Sequence, residues 1–194
     1  MTNYLHIAHY LMSYLSPGTL LIAEPFIEDE TFYRKVIVII EDNSMGSIGL
    51  VLNDPTELSM NAKTEETGQE ANFNLYIGGP VQTQESLQFI HNCPDIDECQ
   101  PLADGIFCGG DLSQIVIEYA LGRINEDNSI ALTGYCGWEP QQLEKELEHK
   151  TWIVSKLKSE HLYIKPELLW KHTLEEMGGE FGWLAKAPMD ISLN

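Results

Sequence analysis

Positive charge is what this chain lacks most. Eleven Lys and Arg stand against 30 Asp and Glu in 194 residues, a net charge of −19. Nucleic-acid binders draw most of their affinity from basic side chains that neutralise phosphates. Here the basic residues are scattered, as in Arg34-Lys35 and the Lys156/Lys158 pair, so direct nucleic-acid contact is not expected. Cysteine is sparse too. Cys93, Cys99, Cys108 and Cys136 include no CxxC and match no common zinc spacing, which points to free thiols in a reducing cytoplasm. A Cys93–Cys99 disulfide or a reactive Cys136 is the alternative. No apolar run approaches the roughly 18 residues of a membrane span. The opening "MTNYLHIAHYLMSYLSPG" lacks the basic start of a signal peptide. No Gly-x-Ser-x-Gly elbow, His-Glu-x-x-His, P-loop or dinucleotide fingerprint is present. The acidic stretches "EPFIEDETF" and "CPDIDECQ" lack the order and the glycine of an EF-hand and read as solvated loops. Neither a metal nor a cofactor is therefore expected.

What is present suits one globular domain. The length allows roughly 70% of the unfolded surface to be buried, and 43% of residues are apolar. Leu5, Ala8, Leu11, Met12 and Leu15 recur at helical spacing until Pro17-Gly18, which predicts an amphipathic helix over residues 1–16, docked on a domain of residues 17–194. From Pro17 the pattern becomes extended. "TLLIAEP", "RKVIVIIED", "SIGLVLNDP" and "FNLYIGGP" read as strands, and the unbroken run Val36 to Ile40 implies burial on both faces. The polar segment from Thr56 to Asn72 reads as a loop. "SLQFIH", "DGIFCGG", "SIALTGYCGW", "TWIVSKL" and "HLYIK" read as further strands. In "DLSQIVIEYALG", Asp111 and Gln114 form a capping-box pattern. Leu112, Ile115, Val116, Tyr119 and Ala120 form the stripe, and Gly122 the stop. A second helix is expected to begin at Pro140, and a third to run from Pro166 to Gly178. Strands that cluster early, with helices inserted and appended late, make an α+β domain with a largely antiparallel, curled sheet.

Six motifs stand in a fixed order. They are Gly18 to Pro25, then Phe32 and Arg34 before Val36 to Ile40, and then Gly46, Gly49, Asn53 and Pro55. Gly78-Gly79-Pro80-Val81 follows, with His91 closing the next strand, and Gly134 to Glu146 precedes Trp152. In this order they resemble the bacterial AlgH/YqgE family. The resemblance implies an α+β domain whose bifurcated sheet curls into a pseudo-barrel flanked by helices. It implies cytosolic proteins without an assigned reaction, some bearing a transcription-regulator label. The chain departs from the family at Glu41-Asp42-Asn43, where a histidine is common, and at Gln141, where a glycine is common.

Each candidate site residue has a chemical and an architectural reading. His91 titrates near neutral pH and suits acid–base work, yet a histidine ending a strand is also a natural hydrogen-bonding strut. Asn53 forms turns, and belongs to a polar site only if it points at His91. Gly78 and Gly79 form either an anion-binding nest or a plain turn. Tyr135, Gly137 and Trp138 make either a ligand shelf or a turn with a core plug, in which Gly137 is expected at positive φ. Gln142 and Glu146 share one helix face and serve either a polar ligand or the adjoining turn. The leading functional expectation is a binding or regulatory protein acting through a protein partner or small ligand. The alternative is an enzyme with its pocket near His91 and the Tyr135/Trp138 corner. A transcriptional regulator acting without direct DNA contact comes third.

Overall fold

The computed structural model describes residues 15–65, 67–82, 87–103 and 105–186. Apart from Leu15 and Ser16, the helix expected over residues 1–16 lies outside the described residues. The strands are β1 (Thr19–Ala23), β2 (Val36–Asn43), β3 (Gly46–Val51), β4 (Pro55–Lys63), β5 (Glu70–Ile77) and β6 (Gln88–His91). They continue with β7 (Cys99–Ala103), β8 (Ile106–Gly109), β9 (Ser129–Thr133), β10 (Cys136–Trp138) and β11 (Trp152–Lys156). The α-helices are α1 (Leu112–Ala120), α2 (Gln142–Glu148), α3 (Pro166–Met177) and α4 (Gly179–Leu184). No helix among the described residues is long and apolar enough to cross a membrane.

The α+β class is as the sequence implies, and the strands divide between two sheets. One has five strands in the order β10-β3-β2-β1-β11, the other six in the order β4-β5-β9-β6-β8-β7. Every pairing is antiparallel except β5 with β9. Neither sheet closes on itself, so the pseudo-barrel is open. Alternation along β2 shows how the layers stack. Val36 and Val38 enter a core shared with Ile90, Ile106 and Leu132 of the six-stranded sheet and with Trp170 of α3. Ile37 and Ile39 point the other way, into a core with Leu143 and Leu147 of α2. A third core, with Phe73, Phe89, Ile115 and Val116, seats α1 on the far face of the six-stranded sheet. The continuous apolar run in β2 therefore reflects burial on both faces.

Several local expectations change. Residues 56–72 are largely a β-hairpin of β4 and β5. Its polar character arises because β4 is an edge strand, most of whose side chains are exposed. "HLYIK" lies mostly in a 3-10 turn, Ser159–Tyr163. Asp111 does cap α1, accepting from Gln114 N at 2.9 Å. The Gln114 side chain does not reciprocate, because it bonds Asp97 instead. Leu112, on the first turn, is exposed.

"SIALTGYCGW" is two strands, one in each sheet. The crossing occurs at Gly134-Tyr135, against Gly78-Gly79. Gly78 N donates to Thr133 O at 2.7 Å, Val51 N donates to Gly78 O at 2.8 Å, and Val81 and Tyr135 exchange a pair of hydrogen bonds at 3.0 and 3.1 Å. The approach is backbone on backbone. A Cβ on Gly78 would stand 2.3 Å from Gly134 O, and one on Gly79 would stand 2.2 Å from the Tyr135 carbonyl carbon. Gly134 has φ +78°, whereas Gly137 is absent from the positive-φ set and sits in β10. The expected strain at Gly137 is thus located three residues earlier, where the chain changes sheets rather than where it enters the helix. Gly134→Ala is expected to lower stability by about 2–4 kcal/mol, combining left-handed strain with the clash. Gly137→Ala is expected to change it by less than about 1 kcal/mol. Urea unfolding of the two variants checks this, and equal midpoints would refute it.

Candidate functional site

The residues from Trp138 to Trp152 form one cluster on the outer face of the five-stranded sheet. Gln141 is left-handed at φ 66°, in the place where the family resemblance puts a glycine, and α2 begins after it. Pro140 therefore precedes the helix instead of opening it. Trp138 Nε1 and Trp152 Nε1 both donate to Glu146 Oε2, at 2.9 and 2.7 Å. Gln142 Nε2 donates to Glu146 Oε1 at 3.0 Å, and Glu139 N donates to Gln142 Oε1 at 3.0 Å. The two indoles meet edge to face at 6.4 Å, and Phe32 packs on Trp152 at 5.5 Å. Both tryptophans are core residues, 6% and 5% exposed. A carboxylate can accept several bonds, and here one oxygen satisfies two buried indole donors that have no other partner among the described residues. Gln142 and Glu146 tie α2 to its own turn and to β11.

His91 is fully buried. Its Nδ1 accepts from Cys93 N at 3.3 Å, so Nε2 carries the proton and donates to Gly109 O at 3.2 Å. Burial lowers its pKa, and the ring stacks on Phe107 at 5.9 Å. Asn53 serves another place. Its Oδ1 accepts from Val36 N at 2.8 Å, and its Nδ2 donates to Arg34 O at 2.9 Å. That grip holds Arg34 at φ 53°, with its guanidinium 4.6 Å from the Trp170 ring centroid. The Trp170 indole in turn donates to Ala23 O at 2.8 Å. The motifs around Arg34 and Asn53 are thus one device, and the partnership with Trp170 carries no local signal in the sequence. No hydrogen bond among the described residues joins His91 to Asn53, Gly78, Gly79, Tyr135, Trp138, Gln142 or Glu146. Gly78, Gly79 and Tyr135 meet at the sheet crossing, and Trp138, Gln142 and Glu146 meet at the indole clamp.

Two of the thiols are quiet. All four cysteines are free, and burial pushes Cys108 and Cys136 up to about 12, which suppresses the reactive thiolate. A group with metal-ligand character, Glu160, His161 and Glu176, lies on α3 and the 3-10 turn before it. Its chemistry opposes a metal. His161 Nδ1 accepts from Lys158 N at 3.1 Å, so Nε2 is protonated, and it donates to Glu176 Oε2 at 3.0 Å. The Lys158 ammonium also pairs with Glu176. Burial, helped by His172 and Lys158, outweighs the pull of Glu160 and takes the His161 pKa down to about 4. A depression that sequence reasoning missed opens elsewhere, between β5, α1 and the turn before β9. It is lined by Phe73, Asn74, Tyr76, Tyr119, Glu126 and Ser129.

The model of the AlgH-like family, DUF179, matches residues 20–182. The chain belongs to the AlgH-like family. A UPF0301 protein of Cytophaga hutchinsonii is 36% identical, over 93% of this chain and 100% of that one. A UPF0301 protein of Bacteroides thetaiotaomicron is 34% identical, over 92% and 91%. Among solved structures, the AlgH protein from Pseudomonas aeruginosa superposes with a TM-score of 0.63 at 25% identity, covering 90% of this chain and 95% of that one. Protein DIP2367 from Corynebacterium diphtheriae has a TM-score of 0.69 at 20% identity, covering 89% and 93%, and shares the fold. In this AlgH-like chain the Gly134 to Glu146 motif encodes the sheet crossing and the indole clamp.

Two outcomes follow from this geometry. Glu146→Ala strands two buried indole donors and is expected to cost about 2–4 kcal/mol. Glu146→Gln keeps an acceptor oxygen and should cost about half as much. Denaturant titration with tryptophan emission checks both, and an unperturbed Ala variant would exclude the clamp. For His161, the folded pKa lies below the unfolded value, so the fold binds fewer protons. Its contribution is complete above pH 6.5 and is lost as pH falls towards about 4. His161→Gln should therefore flatten the dependence of unfolding free energy on pH in that window by about one proton. An unchanged slope would show that His161 titrates alike folded and unfolded.

Proposed function

We propose that this AlgH-like protein is a cytoplasmic binding protein that acts through a basic segment of a protein partner, with no reaction of its own. The observation that carries the reading is the condition of His91, fully buried and with both ring nitrogens bonded to backbone. A general acid or base must reach its substrate and exchange protons with it. Asn53 and Glu146 likewise spend their polar atoms on backbone and indoles. A net charge of −19 attracts cationic partners and repels polyanions. Four free thiols suit a reducing compartment. The match of the family model to residues 20–182 supports treating residues 17–194 as one functional unit. Any influence on transcription then passes through a protein partner, not through DNA.

Fluorescence anisotropy with labelled peptides tests the reading. Arg- and Lys-rich peptides are expected to bind at micromolar concentration, with affinity that falls as salt rises. Neutral and acidic peptides of equal length should not bind, and no duplex should be preferred over its scrambled form. Equal binding of neutral and basic peptides, or nanomolar preference for one promoter sequence, would overturn it.

A further inference from the structure

We propose that the depression between β5, α1 and the turn before β9 is a binding site for an alkylguanidinium or alkylammonium head group. This rests on the reading above and names the place where a basic segment anchors. The aromatic lining is packed ring on ring. The rings of Phe73 and Tyr119 meet edge to face at 4.8 Å, and Phe73 is backed by Phe89 at 5.1 Å. Tyr76 contributes a further aromatic side chain to the lining, and aromatic π systems attract cations. The charge is supplied by Glu126. Asn74 Nδ2 donates to its Oε1 at 2.6 Å, which orients the carboxylate, and Oε2 has no hydrogen-bond partner among the described residues.

The turn that carries Glu126 is built to hold it. Asn125 N donates to Asn128 Oδ1 at 2.7 Å, Asp127 N donates to Asn125 Oδ1 at 2.9 Å, and Ser129 Oγ donates to Asn125 O at 2.7 Å. Preorganisation of this kind reduces the ordering cost of binding. The local potential is negative. Besides burial, Glu126 and Glu167 raise the Tyr76 pKa, and Glu126 raises that of Tyr119. The cation on the same stretch of chain, Arg123, is held by Glu118 at 3.1 Å. The depression is shallow and open, enclosing about 40 Å³, room for the tip of one side chain and not for a whole ligand. An anion would meet the carboxylate and the electron-rich rings, so phosphate-bearing ligands are disfavoured.

The test uses the full ¹⁵N-labelled chain with N-acetyl-arginine methylamide as the probe and the citrulline analogue as its neutral isostere. Saturable amide shifts are expected at Asn74, Glu126 and Ser129 with the arginine probe. Citrulline should bind about five-fold more weakly, the factor one cation contact supplies. Glu126→Gln keeps the bond to Asn74 and should weaken the arginine probe by a similar factor, about five-fold. Glu28→Gln, on an exposed loop elsewhere, should leave it unchanged. Shifts spread over the acidic surface, equal binding of citrulline, or equal loss in both variants would each overturn the site. If basic peptides bind while the cleft resonances stay still, only this site fails. If no basic peptide binds at all, the functional reading fails first.

Discussion

The two sheets are joined where backbone meets backbone, at Gly78-Gly79 and Gly134-Tyr135. A strand that leaves one sheet for another abandons its ladder partners, and its buried amides must find new ones. Here the replacement bonds run from Gly78 to Thr133, from Val51 to Gly78, and between Val81 and Tyr135. They form only because no side chain intervenes. Any Cβ at Gly78 or Gly79 would penetrate the opposing chain. The β5–β9 pairing, the only parallel one among the described residues, ends at this same crossing. The shared inner core therefore depends on bare backbone at this one crossing.

Once the crossing is made, polar side chains finish the outer layers. Glu146 gathers two indoles on one oxygen and Gln142 on the other, so a seven-residue helix is held against β10 and β11 by charge-assisted hydrogen bonds as well as by Leu143 and Leu147. Asn53 performs the corresponding task at the start of β2. It replaces ladder partners for Val36 while Arg34 covers the Trp170 ring. In each case a residue type commonly found in active sites is consumed by an interaction that a strand end or a helix turn requires. A motif rich in Gly, Trp, Gln and Glu can thus arise from packing geometry alone.

Burial has the same consequence for the titratable groups. His91 and His161 are held neutral, and the Cys108 and Cys136 thiols are held protonated, because each sits where a charge would be poorly solvated. The interior is chemically quiet, and the surface is strongly acidic.

Local pattern determined a good part of this molecule. The Val36–Ile40 run implied a strand covered on both faces, Asp111 implied the start of a helix, Pro166 and Gly178 bounded α3, and a core plug was one of the two readings open to Trp138. These are properties of short windows, set by side-chain periodicity and by which dihedrals a residue tolerates. Only tertiary structure decided which sheet a strand joins. "SIALTGYCGW" reads as one strand because its residues are equally apolar on both sides of Gly134, and periodicity reports burial, not the identity of the covering layer. The glycine under strain is Gly134 and not Gly137 because strain arises where two distant segments approach, and sequence spacing does not record that approach. Polar β4 looked like a loop because an edge strand has little to bury. The cleft around Glu126 was invisible because its lining comes from β5, α1 and a turn, three segments brought together only when the sheet is assembled.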